Sequence, residues 1–302
     1  MTAPVLMVLA SFLFALMGLC VKLAGAHFGT GEIVMYRGLI GALTMVVLMR
    51  QRGQSLYTAV PGMHLWRGIV GVSSLCLWFY AISGLPLATA MTLNYMSPIW
   101  MAMFLIGGSV LAGGARINPK LIATVLAGFV GVAAILRPSI DRDQLWYGVI
   151  GLGSGMLSAM AYLQITALGR VGEPETRVVF YFSCGGTLAG LALMLLNGGP
   201  SPWPGWTAAL LVLGVGLFAT AAQLAMTRAF AIGRPLVNAS LQYLGIVFAF
   251  GFGVLLFDDP VHPLAVAGMV LVVGAGITAT RLRHGTGPRQ NAQDTLPPDL
   301  DP

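Results

Sequence analysis

The chain has 302 residues, of which 57% are apolar and only 9% are charged, and its formal net charge is +6. Since an ordinary soluble domain carries about 25% charged residues, this composition excludes a typical water-soluble domain. The positive charge indicates contact with anionic lipid headgroups and not with nucleic acid.

Ten apolar stretches are long enough to cross a bilayer, because about 20 helical residues span a hydrocarbon core of about 30 Å. Short polar or Gly- and Pro-bearing segments separate them. The predicted spans are 3–23, 32–50, 65–83, 87–112, 118–137, 145–169, 177–196, 206–230, 235–257 and 263–281. The polar, Pro-rich segment 284–302 is predicted to be a disordered cytoplasmic tail. The sequence therefore predicts an all-α integral membrane protein with ten transmembrane helices.

The distribution of Lys and Arg between the loops predicts the orientation. With ten spans both termini lie on one side, and twelve of the basic residues fall on that side. Three fall on the opposite side, and Arg37 is the only one assigned to the interior of a span. Because basic residues concentrate in cytoplasmic loops, both termini are predicted to be cytoplasmic.

One sequence pattern occurs twice. The stretch LQYLGIVFAF at 241–250 resembles LNYMSPIWMA at 93–102, and an Ala-Ile pair and a proline precede each copy. Splitting the chain into 1–142 and 143–283 gives two units of five spans each. Because five is odd, the second unit enters the membrane inverted relative to the first. Inverted repeats of this kind are typical of carriers that work by alternating access, with the solute held near the midplane between the halves.

These features resemble the EamA-type drug/metabolite transporter superfamily. The resemblance is carried by ATAMTLNYMSPIWMAMF (88–104), by VNASLQYLGIVFAFGF (237–252), and by the Arg of VMYRGLIGAL (34–43) in the second span. It implies a metabolite carrier of the bacterial inner membrane that hydrolyses no ATP, and a monomer is sufficient to form its cavity. In one departure, the second copy has Gly245-Ile246 where the first has Ser97-Pro98. This difference predicts a helix break that is asymmetric between the halves.

Embedded polar residues are the candidates for a substrate pathway, because such side chains are costly in lipid. Arg37 could receive a carboxylate or phosphate of a solute, or it could snorkel to the membrane interface. Asn94 and Tyr95 have the copies Gln242 and Tyr243. Since helical neighbours point about 100° apart, at least one residue of each pair is expected only to hydrogen-bond between helices.

The remaining candidates are aromatic rings and amides. Together with the residues above they predict a mostly apolar cavity with a few polar contacts, suited to a small amphipathic solute. A hydrophobic or aromatic amino acid, carried by export, is the predicted cargo, and this choice depends on the resemblance as much as on the residues. A nucleotide-like metabolite such as S-adenosylmethionine, a vitamin or a drug is the alternative. These candidates are Trp78, Tyr80, Trp100, Tyr162, Gln164, Gln223 and Asn238.

The positions of the acidic residues, histidines and cysteines limit the coupling and the catalytic chemistry that the sequence predicts. No carboxylate is predicted at mid-membrane, which favours facilitated diffusion or exchange over proton coupling, although Glu32 near Arg37 is a possible weak coupling site. The four histidines fall in loops, at span edges or in the tail, so an intramembrane enzyme is the remote alternative. The three cysteines lie in apolar segments, and neither a metal nor a cofactor is expected. The predicted partners are a small-molecule solute and the lipid bilayer.

Overall fold

The computed structural model describes residues 1–111, 142–202, 205–233, 241–258 and 263–284, with seven single positions between these ranges. Within this part of the chain all regular structure is helical. The helices are α1 (Ala3–Ala24), α2 (Thr30–Gln51), α3 (Pro61–Gly84), α4 (Leu87–Asn94), α5 (Ser97–Leu111), α6 (Arg142–Arg170), α7 (Glu175–Leu196), α8 (Trp206–Ile232), α9 (Leu244–Phe257) and α10 (Pro263–His284).

Six of these helices are long and apolar enough to cross a membrane, namely α1, α2, α3, α6, α7 and α8. The predicted all-α membrane class is therefore confirmed. The predicted span 87–112 is divided into α4 and α5, whereas α9 and α10 contain shorter apolar stretches. The predicted fifth span, 118–137, and the tail beyond residue 284 lie outside the described ranges. The count of ten spans stays a prediction.

Proline and glycine mark the helix ends. A proline lies in the first turn of α1 and of α3, where its missing N–H would have had no helical partner. Gly53 and Gly172, just beyond the ends of α2 and α6, have φ angles of 63° and 79°. This left-handed conformation suits glycine, because a side chain would be strained there.

The most extensive helix contact joins α2 to α7, followed by α1 with α8 and α3 with α6. The contact between α2 and α7 uses small residues. A Cβ atom added to Gly38 would lie 2.5 Å from the backbone nitrogen of Thr187. Because Gly38 has no side chain, the backbones of the two helices can approach closely at this point.

The end of α4 packs closely against α6. A Cβ atom added to Gly155 would lie 2.5 Å from the carbonyl oxygen of Leu93. The spacing of Gly151 and Gly155, four residues apart, places both glycines on the face of α6 that meets Leu93. This contact brings the last residues of α4 beside the middle of α6.

A helix break occurs in both copies of the repeated pattern, so the predicted asymmetry is wrong. In the first copy Tyr95 and Met96 form a turn between α4 and α5. In the second copy Gln242 and Tyr243 form a turn directly before α9. The second turn is closed by hydrogen bonds to residues three positions earlier, from Gly245 N to Gln242 O (2.9 Å) and from Ile246 N to Tyr243 O (3.0 Å). Proline is therefore not needed for the break.

Candidate functional site

A narrow cavity of about 50 Å³ lies where α2, α3, α6, α7 and α8 converge on the break after α4. Six of the predicted pathway residues line it, and their role in a pathway stays a prediction. These six are Arg37, Trp78, Asn94, Tyr95, Tyr162 and Gln223.

Asn94 and Tyr95 both line the cavity, so the expectation that at least one of them only joins helices is wrong. The reason is the break, because α4 ends at Asn94 and Tyr95 no longer follows the helical rotation. Asn94 also joins helices, since its Nδ2 donates to Ser154 Oγ at 3.0 Å and to Ser158 Oγ at 3.2 Å. Ser74 Oγ lies 2.7 Å from Ser158 Oγ and extends this polar cluster to α3.

The two copies of the repeated pattern meet beside the cavity. The ring of Tyr95 packs against Gly245, the residue that replaces the serine of the first copy. A side chain at position 245 would collide with this ring. The departure from the first copy therefore has a steric reason, because glycine leaves room for the phenol.

Gln242 and Tyr243 are each 2% exposed and lie behind the lining residues. The Nε2 atom of Gln242 is 3.7 Å from the sulfur of Met226, which lines the cavity. The Tyr162 hydroxyl interacts with Gln242 and Ser158, and the ring of Tyr162 stacks on Phe230 with centroids 5.3 Å apart. The second pair thus supports the wall of the cavity.

Four other predicted residues lie away from the cavity. Tyr80 is 37% exposed and stacks on Tyr147 with centroids 4.9 Å apart. Gln164 donates to the carbonyl of Met63 at 3.4 Å. Asn238 donates to the carbonyl of Ala229 in the last turn of α8, which makes it a helix cap. Trp100 is half-buried and packs against the apolar core.

Arg67 lines the cavity and was missed by the sequence prediction, which counted it among the cytoplasmic charges. It is 3% exposed, so the statement that Arg37 is the only cation inside a span is wrong. The side chain of Arg67 runs along α3 over Gly71, where a Cβ atom would collide with its guanidinium. An arginine followed four residues later by glycine is the sequence signal that could have identified it. Eleven basic residues still remain on the predicted cytoplasmic side against three.

The two cavity arginines share one aromatic ring. The guanidinium carbon of Arg37 lies 5.2 Å from the centroid of the Phe182 ring, and that of Arg67 lies 4.1 Å from it. Within the described residues, the Nε atoms of both arginines and the Nη1 atom of Arg67 have no hydrogen-bond partner. Among the described residues no carboxylate is within ion-pair distance of either guanidinium. In the described part of the chain, two positive charges without a carboxylate partner therefore line the central cavity.

Outside the cavity, Glu173 ties together two segments that connect helices. Its carboxylate accepts hydrogen bonds from Thr58 Oγ1 at 2.5 Å and from Arg177 Nη1 at 2.8 Å, and His64 Nε2 lies 3.7 Å from it. Burial raises the pKa of the Glu173 carboxyl, but the hydrogen bonds from Thr58 and Arg177 and the charges of Arg177 and His64 together outweigh burial, so its pKa lies below the usual value. We call this group (Thr58, His64, Glu173, Arg177) the Glu173 latch.

A second carboxylate makes a similar connection between the start of α2 and the segment after α7. Glu32 Oε1 accepts from the backbone nitrogen of Ser201 at 2.9 Å, and its Oε2 accepts from Ser201 Oγ at 2.5 Å and from Gly29 N at 3.0 Å. We call this group (Gly29, Glu32, Ser201) the Glu32 latch. Glu32 makes these contacts and no ion pair with Arg37.

Comparisons with known proteins identify the family. The sequence model described as the EamA-like transporter family matches residues 1–137. The pseudopaline exporter CntI of Pseudomonas aeruginosa is 35% identical over 281 residues, which cover 93% of this chain and 96% of that protein. The chain belongs to the EamA-like transporter family. This EamA-like protein is therefore a membrane transporter and not an enzyme, as the sequence predicted.

Two further similarities extend over nearly the whole EamA-like chain. A riboflavin transporter of Brucella anthropi is 23% identical, and the match covers 93% of this chain and 99% of that protein. A solved crystal structure superposes with a TM-score of 0.67 at 20% identity and covers 94% of this chain and 99% of that one. The structural similarity shows a shared fold.

Proposed function

We propose that this EamA-like transporter exports a small amphipathic metabolite through the central cavity by alternating access, without ATP hydrolysis. The observation that carries the proposal is the cavity itself, because polar and aromatic side chains from both halves of the chain converge there and are shielded from lipid. Asn94 and Trp78 come from the first half, and Tyr162 and Gln223 come from the second.

The proposal treats 1–142 and 143–283 as inverted five-helix repeats, in which α1, α2, α3 and α5 correspond to α6, α7, α8 and α9. The helix contacts support this correspondence. Exchanging the halves converts the contact of α1 with α8 into that of α6 with α3, and both are extensive. It likewise converts the contact of α1 with α9 into that of α6 with α5, and again both are present. Helix α2 packs on its own counterpart, α7.

The same exchange relates the two latches. Glu32 lies near the start of α2 and holds the segment after α7, whereas Glu173 lies just before α7 and holds the segment after α2. In an inverted repeat these positions lie on opposite faces of the membrane. We assign the Glu173 latch to the cytoplasmic face and the Glu32 latch to the outer face, so that opening one latch at a time exposes the cavity to one side.

A conformational change is required for any cargo of metabolite size. The cavity measures about 50 Å³, whereas pockets for small molecules measure roughly 300–1,000 Å³. Helices must therefore separate on at least one face before the solute enters. The latches are the contacts that such a separation would break.

The cargo and its energetics follow from several weaker indications. Relatives that are named for their solutes carry pseudopaline or riboflavin, so an aromatic amino acid is one candidate among several. Export is favoured because the relative at 35% identity is named an exporter. Among the described residues no carboxylate lines the cavity, which favours facilitated diffusion or exchange. We place the protein in the bacterial inner membrane with cytoplasmic termini, by its loop charges.

Counterflow in proteoliposomes tests the proposal. Vesicles with purified protein would be loaded with unlabelled riboflavin, phenylalanine or pseudopaline and diluted into the labelled form of the same solute. The proposal expects transient, saturable accumulation of at least one solute in the absence of ATP. A cysteine pair at Thr58 and Glu173, in a background without native cysteines, should abolish accumulation when cross-linked and restore it when reduced. Equal accumulation in the cross-linked and reduced states would overturn alternating access.

A further inference from the structure

We infer that the central cavity recognises a solute that carries two negative charges, a dicarboxylate or a phosphate ester, through Arg37 and Arg67. The inference deepens the proposed function, because it names the class of solute that the same cavity would take. It rests on that proposal only for the statement that the solute is transported. Binding can be tested without transport.

The first argument is the burial of unpaired charge. Arg37 and Arg67 are 4% and 3% exposed, and among the described residues one guanidinium nitrogen of Arg37 and two of Arg67 have no hydrogen-bond partner. Both side chains line the cavity. Burying a charge without a partner opposes folding, so such a pair is expected where a ligand supplies the counter-charge.

The second argument is the arrangement of the two guanidiniums. They are held against the same ring, since their carbon atoms lie 5.2 Å and 4.1 Å from the centroid of Phe182. Cation–π contacts of this kind orient a guanidinium but leave its positive charge in place. A planar guanidinium binds carboxylate or phosphate oxygens through two parallel hydrogen bonds. Two such groups at one ring, both lining the same cavity, match an anion of charge minus two.

The third argument concerns the remainder of the solute. Among the described lining residues no Asp or Glu is available to pair with an ammonium group. A zwitterionic amino acid would therefore satisfy one guanidinium and leave its own amine without a counter-charge. The rings of Trp78, Tyr95 and Tyr162 provide apolar surface for the body of the solute. The cavity thus fits a dianion with an apolar or aromatic body better than it fits phenylalanine.

A matched pair of ligands tests the inference. Benzylsuccinate and 3-phenylpropanoate have the same ring, but the first has two carboxylates and the second has one. Isothermal titration of the detergent-purified protein should show that benzylsuccinate binds about tenfold or more tightly, as expected for an additional charge-assisted pair. Phenyl phosphate, measured beside them, distinguishes a phosphate site from a dicarboxylate site.

A variant of Arg67 shows whether the second guanidinium causes the difference. Arg67→Gln should reduce the affinity for benzylsuccinate to that for 3-phenylpropanoate. Arg228→Gln is the matched control, because Arg228 lies at the surface, 3.5 Å from Glu175, and its side chain is 55% exposed. The control should leave both affinities unchanged. Equal affinities of the wild type for the two carboxylates, or no binding of any of the three anions, would overturn the inference.

A stability measurement separates recognition from a structural role. If Arg67 serves a ligand, its replacement by Gln should leave the melting temperature unchanged or raise it, because a buried unpaired charge is removed. A marked fall would assign Arg67 to the fold and contradict the inference. Counterflow with benzylsuccinate tests the carrier proposal separately. Dianion binding without counterflow would reject the carrier proposal and support the dianion site. Counterflow of phenylalanine with no preference for dianions would support the carrier proposal and reject the dianion site.

Discussion

The Glu173 latch and the Glu32 latch make similar connections with different chemistry. Glu173 has a charged partner, Arg177, and a histidine within 3.7 Å. Glu32 accepts hydrogen bonds from one backbone amide and one hydroxyl of Ser201, and from the amide of Gly29. Hydrogen bonds to an ionic partner are stronger and more sensitive to charge than those to neutral donors. The two latches are therefore expected to differ in strength, although both close a loop over the same pair of helices.

Under the proposed inverted repeat, this difference indicates how the two halves diverge. The helices α2 and α7 pack through small residues along their length, and such packing tolerates little change. The latches lie at the ends of these helices, where loop positions accept different side chains. Divergence at the ends can make one face of a carrier open more readily than the other while the common core is kept.

Gly38→Ala should have the largest effect, because it acts on the helix pair that carries both latches. The new Cβ atom would lie 2.5 Å from the backbone nitrogen of Thr187, so α2 and α7 must move apart. We expect a loss of about 3 kcal/mol of unfolding free energy, at the upper end for overpacking. Denaturant unfolding in detergent measures it. Gly153→Ala on α6 is the control, because nothing lies within 4 Å of its added Cβ, and it should be neutral or slightly stabilising.

Glu173→Gln should be the next largest change, since it leaves the Arg177 guanidinium without a carboxylate. Arg177 also donates to the carbonyl of Ser55 at 3.1 Å and 3.0 Å, so part of its bonding is retained. We expect a loss of about 2 kcal/mol, measured by the same unfolding assay. Under the proposed assignment the Glu173 latch would open more readily towards the cytoplasm, so the rate of exchange should also change. A loss smaller than that of Glu32→Gln would contradict the proposed difference between the latches.

Glu32→Gln should cost about 1 kcal/mol, because the amide oxygen still accepts one hydrogen bond from Ser201 or Gly29. No charged partner is left behind at this latch in the described part of the chain. The effect should be nearly independent of salt between roughly 0.05 and 0.5 M, whereas that of Glu173→Gln should decrease as salt screens the ion pair. Unfolding at three salt concentrations tests this contrast. An equal salt dependence of the two variants would contradict the proposed difference between the latches.

The dependence on pH should be the smallest effect near neutrality. The pKa of Glu173 is lower in the folded protein than its usual value of 4.5. Its contribution to stability is therefore fully present above that value and is lost as the pH falls through the lowered pKa. The melting-temperature difference between wild type and Glu173→Gln should stay constant from about pH 8 to pH 5.5 and shrink below about pH 4.5. A difference that grows on acidification would mean that the pKa is raised instead.

Much of the helical layout could be predicted because apolar length is a local property of the chain. The spans predicted at 3–23, 32–50 and 206–230 agree closely with α1, α2 and α8. Half of the predicted pathway residues line the cavity. The break in the second copy was not predicted. It forms without a proline, and proline was the only sequence signal used to predict a break.

Which residues line the cavity depends on contacts between helices, and no local sequence pattern encodes those contacts. Trp78 is 5% exposed and lines the cavity, whereas Tyr80, two residues later on α3, is 37% exposed. Positions two apart on a helix point in nearly opposite directions, but only the neighbouring helices decide which direction is inward. Arg67 was counted among the cytoplasmic charges for a similar reason, since its burial depends on the course of its side chain over Gly71.

The sequence by itself therefore determined that the protein lies in a lipid bilayer, that it is helical and that one pattern occurs twice. Hydrophobic length, charge distribution and self-similarity can all be read along the chain. Only the tertiary structure decided which polar side chains meet. It brought Arg37 and Arg67 to one ring, placed both Asn94 and Tyr95 at the cavity, and set Glu32 and Glu173 against distant loops. The physical reason is that burial of a polar group is set by what packs around it, and residues far apart in the sequence provide that packing.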